Sequence, residues 1–171
     1  MGYVNDTTMS QWFSPSACHY VTGTWSDAAG NVANTIVKAK AAADNTGVIT
    51  IPIALPSNSA AYKGCCLKSV DVYWEVTTAD MDAVTAAIYK VTLPANGAAI
   101  GTVESLSFSY DSGHDTAGER LTADQHTMTL TLTTPEWLDN DEVIQVKITA
   151  DAAATSVFHF IGARANFELR I

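Results

Sequence analysis

Basic residues are scarce in this sequence. Nine Lys and Arg stand against eighteen Asp and Glu, a formal charge of -9, and the basic residues nowhere form a run. That balance offers no footprint for phosphate backbones or anionic headgroups, so neither nucleic acid nor a membrane surface is an expected partner. Long apolar runs are missing as well. No segment approaches the ~20 apolar residues that cross a bilayer, and the N-terminus lacks a basic region leading into an apolar stretch, so neither a span nor a secretory signal is expected. Met1-Gly2 opens like a myristoylation signal, but that signal requires Ser or Thr at the sixth position, where Asp6 stands.

Cysteine is limited to Cys18, Cys65 and Cys66. An odd number closes no disulfide framework, and a vicinal pair is strained against bridging to itself, so buried free thiols and synthesis in a reducing compartment are expected. Glycine-rich phosphate cradles, dinucleotide fingerprints and a glycine-framed serine elbow are all absent. The four histidines, at 19, 114, 126 and 159, make no short ligand pair. No cofactor and no metal are expected.

Those absences bear on the most chemically crowded stretch, Ser109 to Arg120, which reads SYDSGHDTAGER. It supplies a hydroxyl, an imidazole, carboxylates and a guanidinium. Ser112, His114 and Asp115 stand too close in sequence to converge as nucleophile, base and orienting acid unless the loop folds back sharply. Asp111, His114, Asp115 and Glu119 are competent metal ligands, but they share one segment instead of pairing across two elements. Asp139-Asn140-Asp141-Glu142 lacks the alternation of a calcium loop and reads as a turn. The expectation is a non-enzymatic chain in which Asp111 to Arg120 is a surface connection between a strand ending at Tyr110 and one starting near His126.

What is present is period-two patterning. In Val70-Asp71-Val72-Tyr73-Trp74-Glu75-Val76 the valines and Trp74 share one face, with Asp71, Tyr73 and Glu75 on the other. His126 to Thr133 repeats this, with Met128, Leu130 and Leu132 inward and four threonines outward. Further strands are expected at Val48 to Leu55, Val84 to Leu93, Glu104 to Tyr110, Glu142 to Thr149, Ser156 to Ile161 and Ala165 to Ile171. Trp74, Leu130, Leu132 and Ile148 are expected in one core. Asn96-Gly97, Asp139 to Asp141 and Asp44 to Gly47 are turn signals. Asn34 to Ala43 fits a helix or a strand, and Thr77 to Val84 carries a possible helical turn. About eight antiparallel strands imply an all-β sandwich of two packed sheets, a jelly roll first and an immunoglobulin-like sandwich second.

At 171 residues the chain is one domain that buries roughly 70% of its unfolded surface. Only 16% of residues are charged, so Thr, Ser and Asn make up much of the polar surface. Residues 1 to 45 differ from the sandwich expected over 46 to 171. They are polar and turn-rich, yet they carry Tyr3, Trp12, Phe13, Tyr20 and Trp25. Such aromatics either pack over their own sandwich or anchor an irregular arm on a partner, and these five are the candidate partner-contact residues.

The segments KSVDVYWEVTTADMDAVTAAIYKVTLP and HTMTLTLTTPEWLDNDEVIQVKITADAAATSVFHFIGARANFEL give residues 66 to 171 a likeness to a family. The chain resembles small virion structural proteins of tailed bacteriophages, among them β-sandwich head decoration or cement proteins. The resemblance carries no catalytic residues. It implies a subunit made in the host cytoplasm that binds a major capsid protein lattice on the outer capsid surface, stabilises the head and self-associates as a dimer or trimer. The acidic charge is consistent with a position away from packaged DNA. A tail or fibre component is the alternative within the virion class. A carbohydrate-binding sandwich, with Tyr73, Trp137 or Trp25 as stacking platforms, is the alternative outside it.

Overall fold

A computed structural model of the chain describes residues 6–28, 37–56, 64–94 and 101–170. The described residues form twelve strands: β1 (Asp6–Phe13), β2 (His19–Thr22), β3 (Trp25–Ala28), β4 (Val37–Lys40), β5 (Asn45–Ile53), β6 (Cys65–Thr77), β7 (Ala83–Thr92), β8 (Thr102–Leu106), β9 (Phe108–Tyr110), β10 (Gln125–Leu138), β11 (Glu142–Ala152) and β12 (Val157–Arg170). They build two antiparallel sheets packed face to face. One sheet runs β3-β4-β12-β6-β10-β9 with β1 also paired to β12, and the other runs β2-β5-β11-β7-β8. The all-β sandwich is thus the observed fold.

Alternation explains which side chains meet between the sheets. Val70, Val72, Trp74 and Val76 of β6 and Met128, Leu130 and Leu132 of β10 face Ile49, Ile51 and Ile53 of β5 and Ile144, Val146 and Ile148 of β11. Trp74, Leu130 and Ile148 are fully buried and Leu132 nearly so, as the patterning predicts. The inward phase of β6 is odd at Cys65 and Leu67 and even from Val70 onward. Lys68 is the reason: Asn166 pairs with Ser69 and Phe167 with Leu67, so Lys68 is an extra bulged residue that flips the strand's phase. The three cysteines are buried free thiols. Burial pushes the Cys18 thiol up to about 12, which keeps it protonated and unreactive at neutral pH.

Four expectations are corrected. Glu104 to Tyr110 is two strands, because the chain leaves the five-stranded sheet at Leu106 and joins the seven-stranded one at Phe108. Ser156 to Ile161 and Ala165 to Ile171 are halves of the single strand β12, bent at Gly162, where φ is +145° and the register with β6 shifts. Thr77 to Val84 forms no helical turn. Its backbone reverses through Thr78, at φ 79°, and enters β7.

The fourth correction concerns the division at residue 45. β1 pairs residue for residue with β12 from Asp6–Arg170 to Phe13–Ala163, β2 pairs with β5, and β3 pairs with β4. β12 keeps β6 on one side throughout, so β4 and β1 lie end to end along its other side. The described part of residues 1 to 45 is therefore built into both sheets and is not an irregular arm. Sequence alternation misses this because β1 and β2 lie at sheet margins, where most side chains face water on both sides. Asn34 to Ala43 resolves, where described, as strand β4. Asn96-Gly97 lies outside the described residues.

Candidate functional site

The five N-terminal aromatics separate by environment. Tyr3 lies outside the described residues. Phe13 is 6% exposed and belongs to the main core, so its assignment to partner contact is corrected. Tyr20 and Trp25 are half-buried and pack on each other with ring centroids 5.0 Å apart. The Tyr20 hydroxyl donates to the Pro15 carbonyl, the Trp25 indole donates to the Thr22 carbonyl, and Trp25 meets Phe158 edge-on. These two close the end of their own sandwich. Trp12 alone among the four stays largely outside, at 50% exposure.

Trp12 stands on the outer face of the seven-stranded sheet. It is opposite Arg164 in the β1–β12 register, and its ring lies 5.4 Å from that of Tyr73. Gly162 provides the floor, since a Cβ there would come within 2.4 Å of the indole and 2.8 Å of the Phe13 carbonyl oxygen. The Arg164 guanidinium sits 5.9 Å from the Tyr73 ring centroid and is fixed from beneath by Asp71. Asp71 accepts from Arg164 Nε at 3.0 Å and Nη2 at 2.8 Å, from Asn166 Nδ2 at 3.0 Å and from Thr129 Oγ1 at 2.8 Å. One buried carboxylate on β6 thus ties together β10 and β12. The face combines an exposed indole, a half-buried phenol, a clamped guanidinium and a primary amide.

Period-two alternation turns Asp71 and Tyr73 outward but names no partner for Asp71, and nothing local in the sequence marks Arg164. The available signal was a carboxylate framed by Val70 and Val72, which forecasts a charge on a sheet face that needs a cross-strand partner. Burial works against the charged form of Asp71, and the bonds from Asn166, Thr129 and Arg164 outweigh it and hold its pKa below the ordinary value. A carboxylate lowered in the folded state stabilises the fold above its unfolded pKa, ~3.9, and loses that contribution as pH falls through the folded value. Asp71→Ala is therefore expected to cost about 1–3 kcal/mol at neutral pH, with the gap from the parent chain closing in acid. Paired denaturant titrations at neutral and at acid pH check this.

Trp137 is also exposed, at 42%, and its ring lies 4.3 Å from the Arg170 guanidinium, which pairs with Asp6. Between the sheets' margins, a shallow cleft of about 390 Å³ opens where β8 gives way to β9, with Glu104, Ser107, Thr134 and Glu136 on its wall. Lys90 reaches Glu136 at 2.6 Å, Glu104 at 3.3 Å and Glu142 at 3.4 Å, and these carboxylates raise its pKa. That arrangement staples β7 to its neighbours electrostatically.

Asp111 to Arg120 does connect β9 to β10, yet two of its side chains are not on the surface. His114 and Arg120 are buried, and His114 lies against His126 and Trp74. Arg120 donates to the carbonyls of His114 and Val84 and covers the Tyr110 ring. Glu119 stays exposed and accepts from the Thr116 amide. The reading of this segment as a surface connection is corrected for His114, because the spacing of histidines in sequence gives no hint that position 126 returns beside position 114. Asp139 to Glu142 is a tight turn in which Glu142 donates to the Asp139 carbonyl and accepts from the Asp139 amide. Among the described residues no group of three or more His, Cys, Asp or Glu side chains is placed to hold a metal ion, and no helix is long and apolar enough to cross a membrane.

The fold and this face define an antiparallel β-sandwich with an aromatic and charged outer surface. No protein-family model matches the chain, and no curated protein matches it. Among solved structures it aligns with the arabinose-bound MgGH51 α-L-arabinofuranosidase at 10% identity and a TM-score of 0.37, over 91% of this chain and 24% of that one. This chain thus spans about a quarter of that enzyme's length, and at this level of likeness nothing is carried over.

Proposed function

We propose that this chain is a non-enzymatic virion structural protein, a decoration subunit that binds the outer surface of a major capsid protein lattice and stabilises the head. The observation that carries the reading is Trp12, a large apolar side chain kept half in water on a rigid sheet face. Gly162, Tyr73 and the Asp71-clamped Arg164 hold it there, and fixed aromatic and Arg side chains are the anchors that dominate protein interfaces at low entropic cost. The strand orders also favour it. β4-β12-β6-β10 facing β5-β11-β7-β8 is compatible with the two-Greek-key wiring of a jelly roll, an architecture shared by capsid and lectin domains. Val21 and Val103 are exposed on β2 and β8, the two edge strands of the five-stranded sheet. They offer lateral contacts for a dimer or trimer. The charge of -9 suits an outer position.

The test is a binding titration on particles stripped of this protein. Trp12→Ser is expected to retain the parent's circular dichroism and to bind about thirtyfold more weakly, the effect of losing an anchor worth ~2 kcal/mol. Undiminished binding removes Trp12 from the interface. A second reading, a carbohydrate-binding module, draws on the same exposed indole beside polar Arg164 and Asn166, since a sugar ring stacks on such a surface. Binding to a glycan array that Trp12→Ser abolishes favours it over the first.

A further inference from the structure

Four groups line up where the segment joining β9 to β10 meets the start of β10: Asp111, His114 and Thr122 of the segment and His126 of the strand. Asp111 Oδ1 lies 2.9 Å from His114 Nδ1, His114 Nε2 lies 3.2 Å from His126 Nδ1, and His126 Nε2 lies 2.9 Å from the Thr122 carbonyl oxygen. Both imidazoles are buried. The His126 ring lies flat on Trp74, centroids 4.8 Å apart at 9°, and the His114 ring is tilted against the same indole at 5.6 Å.

Both ends of this line accept hydrogen bonds. Thr122 offers a carbonyl. Asp111 takes N–H bonds from Thr129 at 2.6 Å and Gly113 at 3.0 Å. Burial opposes the Asp111 charge, but the bonds from His114, Thr129 and Gly113 prevail and hold its pKa below the usual carboxylate value.

Each contact needs one proton between its heavy atoms, and a neutral imidazole carries one N–H. Two neutral rings therefore satisfy two of the three contacts and leave the third as two lone pairs facing each other. One added proton completes the line, giving the pair a single positive charge against the Asp111 carboxylate. A fourth proton sets N–H against N–H across 3.2 Å, next to the buried Arg120 guanidinium.

We propose that His114 and His126 form a pH-read latch, closed when the two rings together hold three protons and opened by loss of the third or gain of a fourth. What it holds is residues 111–124 over the Trp74 end of the core. The charged groups facing the pair are Asp111, Glu119 and Arg120, all from the same segment. β6 presents the uncharged Trp74, and β7 presents the Val84 carbonyl to Arg120. β9 places Tyr110 under the guanidinium. Opening loosens the part of the segment around His114, while Arg120 stays bonded to the Val84 carbonyl of β7 and the Leu121 and Asp124 carbonyls keep their bonds from the Met81 and Val76 amides.

The test is imidazole ¹H–¹⁵N spectroscopy on the full chain across about pH 5 to about pH 8, the range in which histidine charge changes, with amide exchange followed alongside. The expected result is an intermediate range in which the two rings show three slowly exchanging N–H protons, flanked on both sides by about tenfold faster exchange of the segment's amides. His126→Phe keeps the stack on Trp74 and removes two nitrogens, and it is expected to abolish the two-sided profile. Two ring protons at every pH, or a two-sided profile that survives in His126→Phe, overturns the latch. The ring-proton count is read on the native chain and decides the matter even where the variant does not fold.

Discussion

Deleting residues 1–13 is expected to leave a chain without a cooperative unfolding transition. The deletion removes β1, whose eight residues pair along β12 from Ala163 to Arg170, and it uncovers that half of a strand in the sheet's interior. It also removes Phe13 from the core, and loss of a buried Phe side chain alone costs about 3–5 kcal/mol. Domains of this size are stable by only ~5–15 kcal/mol, so the aromatic loss and the broken ladder together take most of what there is. Thermal melts followed by near-ultraviolet circular dichroism check this. A truncated chain melting as sharply as the parent, within a few degrees, would show that β1 is an accessory strand.

The second large effect is expected at Gly162. Its φ of +145° is one that side-chain-bearing residues rarely adopt, and the space above it is filled by the Trp12 ring and the Phe13 carbonyl. Gly162→Ala must either flatten the bend in β12 or lift β1 away. Backbone strain of ~1–3 kcal/mol and overpacking of ~1–3 kcal/mol add at this one position. The expected outcome is a loss of about 2–6 kcal/mol in denaturant titration, with a blue-to-red shift of Trp12 fluorescence as the indole loses its floor. A loss within about 0.5 kcal/mol, the surface range, means that the bend does not hold Trp12 in place.

Much of the sandwich was legible in the sequence, because period-two alternation is a local signal. Val70 to Val76 and His126 to Leu132 declare their inward faces without knowledge of their neighbours. What stayed hidden depends on register. The phase flip at Lys68, the continuity of β12 through Gly162 and the crossing between sheets at Ser107 each hinge on one residue's backbone, which composition does not report. The candidate face was half legible. Trp12 stood out as an aromatic in a polar stretch, but Tyr20, Trp25 and Phe13 had the same appearance, and only their placement against Phe158 and the core tells them apart. Arg164 and Asp71 are 93 residues apart in the chain and meet solely through strand pairing. The His114–His126 contact was invisible for the same reason.

The proposed role is most directly tested by quantitative mass spectrometry of purified virus particles that contain this chain, with its copies counted against the major capsid subunit. A decoration subunit is expected in regular stoichiometry with the capsid lattice, at a copy number comparable to that of the major capsid protein. A handful of copies per particle would place the chain in a tail or fibre, and its absence from particles would contradict the virion reading altogether.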